Sequence, residues 1–168
     1  SLFSGQSIDG IAAARDLVRD FIDQPDLSPR DFLSKLRDQL ARTGAPAVQV
    51  AGELLYVHTL LVSTTAFKAK TKLDLVNKTL AIASEGTVAV PDDLADALRG
   101  GVVVPGQAYG TYRWKMFAYL ITVFAAIKAL AADDRSRTLT DWSTFQAFVD
   151  EIDDQSVWAQ RYALEHLL

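Results

Sequence analysis

The run Met116-Phe117-Ala118-Tyr119-Leu120-Ile121-Thr122-Val123-Phe124-Ala125-Ala126-Ile127 contains no charged residue, and no other feature restricts the fold as strongly. A helix over this run is apolar on every side and requires apolar cover all around. Two environments supply such cover, a protein core and a lipid bilayer. Lys115 and Lys128 bracket only twelve uncharged residues, whereas a bilayer span needs about 18 to 20. The run therefore predicts a buried helix over about 112–131, with the other elements packed around it. Gly100-Gly101, Pro105-Gly106 and Gly110 precede it and mark the least helical stretch of the chain.

The remaining sequence reads as helix after helix. Ile8, Ile11, Leu17, Val18, Phe21 and Ile22 recur at helical spacing, and Pro25 ends the first pattern. Ser28-Pro29-Arg30-Asp31 resembles a helix start, with serine as N-cap, proline at N1 and a carboxylate at N3. Phe32, Leu33, Leu36 and Leu40 form the stripe of that second helix, and Gly44 stands where a left-handed terminator is wanted. Pro46 opens a third helix whose apolar positions are too many for one stripe, and Ser63-Thr64-Thr65 breaks it. The fourth helix turns Leu73, Val76, Leu80 and Ile82 inward and Lys68, Lys70, Lys72 and Lys78 outward. Pro91-Asp92-Asp93 caps a short helix to Leu98. Val88–Val90 and Val102–Val104 are open to pairing as a two-stranded ribbon. Residues 132–137 read as a polar connector, Asp141 caps a helix bearing Trp142, Phe145, Phe148, Val149 and Ile152, and a last helix carries Val157, Trp158, Tyr162, Leu164 and Leu167. The expected class is all-α, with seven or eight helices in one domain over 1–168.

A chain of 168 residues can bury about 70% of the surface its unfolded form exposes. Cysteine is absent, which removes disulfides and thiolate chemistry and suits a cytoplasmic setting. Ser1 opens the sequence and Met116 is its only methionine, while the final leucines stop within an amphipathic pattern, so the stretch is expected to be cut from a longer chain. The net charge of −4 is distributed as −1 over residues 1–43, +2 over 44–128 and −5 over 129–168. That pattern is not an extended nucleic-acid surface, so any DNA contact would be local.

The usual catalytic and ligand-binding signatures are missing. His58 and His166 lack zinc-site spacing, no G-x-x-x-x-G-K-[ST] loop occurs, and there is no G-x-S-x-G elbow. Asp92-Asp93, Asp133-Asp134 and Asp153-Asp154 fall at helix ends, where capping explains them. No cofactor or metal is expected in this stretch. Two features point to contacts. Lys68, Lys70 and Lys72 lie with Thr64, Thr65 and Thr71 in a segment without acids, a composition suited to phosphate oxygens or to a solvated face. Tyr109, Tyr112, Arg113, Trp114 and Lys115 gather aromatic faces and cations ahead of the apolar helix, as stacking sites and core rims both do.

The residues from about Leu54 to Leu168 resemble the helical region that precedes the AAA+ domain in McrB-like proteins, relatives of the GTP-hydrolysing subunit of 5-methylcytosine-specific restriction systems. The likeness rests on Glu53-Leu54-Leu55-Tyr56-Val57-His58, Lys70-x-Lys72-Leu73, Val90-Pro91, Gly101-x-x-x-Pro105-Gly106-x-x-Tyr109, Arg113-Trp114, Asp141-Trp142-x-x-Phe145 and Gln160-Arg161-x-x-Leu164-x-x-Leu167-Leu168. A departure is that no proline stands between Asp141 and Trp142. The resemblance implies a non-catalytic accessory domain of a larger nucleotide-driven DNA-restriction protein. Its implied partners are the downstream AAA+ motor, a nuclease subunit and DNA, with no membrane. Lys68, Lys70, Lys72, Tyr109, Arg113 and Trp114 are the candidate contacts to DNA or a partner.

Overall fold

A computed structural model describes residues 1–5, 7–83, 88–101, 103–104 and 113–152. Tyr109, Tyr112, His166 and the expected last helix lie outside these residues. The described residues form eight α-helices: α1 (Gly10–Val18), α2 (Phe32–Leu40), α3 (Ala45–Leu60), α4 (Ala69–Leu80), α5 (Asp92–Ala97), α6 (Arg113–Ala129), α7 (Ala132–Thr140) and α8 (Trp142–Glu151). The all-α class follows. No helix among them is long and apolar enough to cross a membrane.

Side-chain caps set three of the helix starts, those of α1, α2 and α8. Asp9 accepts from the backbone N–H groups of Ile11 and Ala12 at 3.1 and 3.0 Å, opening α1. A π-helical turn, Arg19–Asp23, continues α1 and buries Asp20 and Phe21 together. Ile11 and Ile22, expected inward, are exposed, because Ala13, Ala14 and Leu17 take the buried positions. The second helix starts at Phe32, with Asp31 as its N-cap instead of its third residue. Asp26 is the reason: it accepts from the Ser28 N–H at 2.8 Å and from Arg30 at 2.5 Å, which holds 26–30 as a turn. Gly44 is no left-handed terminator. Its φ of −74° and ψ of 160° make it the extended N-cap of α3, with Pro46 in the first turn as expected.

α3 is the most enclosed helix, and it packs against α1, α4 and α6. Gly52 permits the α3–α4 contact, since a Cβ there would lie 2.5 Å from Leu80 Cδ2. α6 explains its missing charges by serving two cores. Phe117 and Ile121, flanked by Trp114 and Phe124, enter the main core with Leu17, Phe21, Leu36, Leu40 and Leu55. Met116, Tyr119 and Val123 face a second core with Val62, Phe67, Phe148 and Ile152. The third face, including Ala118, Thr122 and Ala125, is half-buried, so cover is less complete than the apolar run predicts, and α3 shares the centre.

Residues 132–137 belong to helix α7 instead of a connector. Asp133 and Asp134 sit at the positive end of its dipole, and Asp134 pairs with Arg137 one turn on at 3.2 Å. Asp141 caps α8 without the proline of the related pattern, accepting from the Thr144 N–H at 2.8 Å. The valine segments also pair differently. Val103 forms a parallel bridge with Val62, with Ser63 N–H donating to Val103 O at 2.7 Å and Val103 N–H to Leu61 O at 2.8 Å. Among the described residues no bridge joins 88–90 to 103–104.

This crossing requires glycine at 101, where a Cβ would lie 1.9 Å from the Val62 carbonyl oxygen. At exposed Gly100 the nearest atom, Ala97 O, would be 3.5 Å away. Gly101→Ala is expected to cost about 1–3 kcal/mol in urea denaturation by overpacking, and Gly100→Ala no more than about 0.5 kcal/mol.

Candidate functional site

The lysine segment separates on folding. Lys68 and Lys70 are exposed at the start of α4, with Lys68 as the N-cap residue. Lys72 is fully buried, contrary to the outward orientation expected from its charge. Its Nζ donates to the Leu98 carbonyl at 2.9 Å and to the Val62 carbonyl. The reason is periodicity. Lys72, Leu75, Val76, Thr79 and Leu80 are the buried positions of α4, a stripe of i, i+3, i+4, i+7 and i+8 whose first member happens to be lysine. At about 100° per residue, Lys70 lies on the side of the helix opposite Lys68 and Lys72, so the three never share a face. Burial holds the Lys72 ammonium below the ordinary lysine pKa.

Arg113 and Trp114 are likewise committed inward. The Arg113 guanidinium lies over the rings of Phe67 and Phe32, with centroid distances of 5.3 and 5.7 Å. Trp114 stacks on Phe21 at 5.3 Å and meets Phe32 edge-on at 5.9 Å, while Lys35 Nζ stands 5.8 Å from its centroid. The aromatic cluster of the described residues is a core rim in which two cations cover ring faces. One product of this packing is a juxtaposition the sequence conceals: the Arg113–Phe67 contact brings the start of α6 beside Lys68 at the start of α4. His58 is buried on α3, and no cluster of three metal-ligating side chains occurs among the described residues.

A surface feature absent from the sequence reading lies between α1 and the end of α6. It is a groove of about 460 Å³ with Ile11, Ala14, Val18, Ala125 and Ala129 as its apolar lining. Arg15, Arg19 and Lys128 supply positive charge at its edges, against Asp23 alone. Arg19 is occupied by Asp16 and Asp20, at 2.9 and 2.8 Å, and the Asp20 hydrogen bond raises its pKa further. Lys128 stands 5.4 Å from the Phe124 centroid and lies across Gly10, where a Cβ would come within 2.8 Å of its Cε. The exposed Ile11 carried the only sequence signal of this groove. It is an isoleucine beside the stripe that buries Ala13, Ala14 and Leu17, hence an apolar side chain with nothing to cover it within α1.

The role of Lys72 is open to a direct check. Lys72→Met leaves the Val62 and Leu98 carbonyls without their charged donor and should cost roughly 1–3 kcal/mol in urea denaturation at neutral pH. Because the folded pKa is lowered, the unfolded chain holds this proton to higher pH than the folded chain does. The Lys72 contribution to stability therefore rises as pH increases from the folded pKa to the ordinary lysine value. The stability difference between wild type and Lys72→Met is expected to widen across that window.

Comparison with known proteins adds no identification: no family model matches the chain, and neither the curated proteins nor the solved structures yield a match.

Proposed function

We propose that the chain is a helical accessory domain of a McrB-like AAA+ restriction protein, coupling the motor to a DNA reader or nuclease partner. The observation that carries this reading is the use made of the chemically promising side chains. Lys72, Arg113 and Trp114 support packing, and His58 is buried within α3. Apolar side chains also reach the surface, Ile11 in a groove beside α1 and Leu139 with Trp142 where α7 meets α8, and such surfaces suit contact with a partner. In this reading the motor, and not this domain, hydrolyses nucleotide in the cytoplasm, and no cofactor binds here.

The coding sequence downstream of Leu168 tests the family assignment, since a G-x-x-x-x-G-K-[ST] loop is expected there. An early stop codon would end it. Deleting residues 1–168 from the intact protein should abolish restriction of modified DNA while basal nucleotide hydrolysis persists. Restriction that survives the deletion would overturn the accessory role.

A second reading, DNA recognition by this domain, is favoured by the position of Arg113 near the start of α4. Lys68 is exposed there near Arg113, where the backbone N–H groups and dipole of the α4 start favour phosphate, and Lys70 is exposed on the opposite side of α4. Lys72 is too deeply buried to contribute, and Tyr109 falls outside the described residues. Binding to methylated or plain duplex by fluorescence anisotropy should then weaken steeply with salt and fall on Lys68→Glu plus Lys70→Glu. No anisotropy change at low salt and high protein concentration excludes this reading.

A further inference from the structure

We infer that the groove between α1 and α6 is a docking site for an acidic amphipathic helix of a partner protein. This rests on the accessory-domain reading for the existence of a partner and adds the surface and the chemistry of the contact. The shape of the groove argues for a helix. Ile11, Ala14 and Val18 repeat along α1 at i, i+3 and i+7, opposite Ala125 and Ala129 on α6. Two adjacent helices leave a furrow of the width a third fills, and alanine on both walls lets its backbone come close. From Ile11 to Asp23 the furrow runs about three turns, on the order of 18 Å at 1.5 Å per residue. That length suits the anchors of an i, i+3, i+4, i+7 pattern.

Charge argues for acid on the flanks of that helix. The chain has a net charge of −4, yet among the described residues neither Arg15 nor Lys128 enters an ion pair. These two cations belong to the α1 and α6 sides of the groove. Gly10 leaves room for the Lys128 stem, which lies across it. Ile11, 57% exposed, is an uncovered apolar anchor between them. An apolar strip bordered by cations matches a helix with an apolar face and carboxylates on either side.

The test uses a fluorescein-labelled synthetic helix of about 14 residues, with leucines at i, i+3, i+4 and i+7 and glutamates flanking them. Its binding to the full chain is followed by anisotropy, and a second peptide replaces every glutamate with lysine. The acidic peptide should bind the wild type, and Arg15→Glu plus Lys128→Glu should weaken it at least about tenfold. Ile11→Asp should weaken it similarly. The lysine peptide should prefer the doubly reversed variant over the wild type, a gain that an unfolded variant cannot produce. The inference is overturned if the acidic peptide fails to bind up to ~1 mM, if the variants bind it as the wild type does, or if dodecanoate fills the groove while the peptide does not. Loss of restriction on deleting the domain, combined with no peptide binding, would retain the accessory role and reject this surface.

Discussion

The ammonium of Lys72 joins three segments that are distant in sequence. It reaches from α4 to the carbonyl of Val62, just past α3, and to that of Leu98, just past α5. A buried cation needs electron-rich partners in place of water, and here two backbone carbonyls provide them. The same Val62 pairs with Val103, and its carbonyl lies so close to Gly101 that no side chain fits there. Lysine, bridge and glycine thus fix the path of the chain between the α3–α4 pair and the segment leading toward α6. Placement of the second core follows, because Val62 is one of its buried members.

Around that crossing, α6 divides its apolar surface between two cores. Phe117 and Ile121 complete the layer with Phe21, while Met116 and Val123 meet Phe67 and Phe148. Residues at i, i+4 and i, i+7 on one helix face one neighbour, and a second such series serves another. Two stripes leave few positions for charge, which accounts for the unbroken apolar run. The rim of the main core is closed by Arg113 and Lys35 against aromatic faces, an arrangement in which cations shield rings that water would otherwise reach. The N-terminal residues close another edge. Leu2 N–H donates to Glu53 at 2.9 Å, and Phe3 packs edge-on against Tyr56. The Tyr56 hydroxyl in turn donates to Leu94 O at 3.0 Å, linking α3 to α5.

This use of side chains shapes the functional reading. Polar groups that would suggest chemistry in a linear sequence act here as braces, and the surface offers an apolar furrow with cations on both sides. In the docking proposal such a surface serves recognition, with apolar area supplying affinity and the charges selecting the partner. The furrow is built on two packed helices, with Ile11 and Arg15 on α1 and Lys128 on α6.

By itself the sequence determined the all-α class, the cap at Asp141, the proline-led start of α3 and the short helix after Pro91. These depend on hydrogen bonds and sterics within one or two turns, which residue type and spacing encode directly. It also held the stripe from Lys72 to Leu80, of which the apolar pattern alone marks Val76 and Leu80 and points to Leu73 and Ile82 in place of Lys72, Leu75 and Thr79. Only the tertiary structure decided that Lys72 is buried, that Val103 meets Val62, that Arg113 covers Phe67 and that Ile11 lines a groove. Each of these depends on where a second segment, many residues away, happens to pass. A lysine faces solvent or two carbonyls according to that neighbour, and no local pattern carries the information.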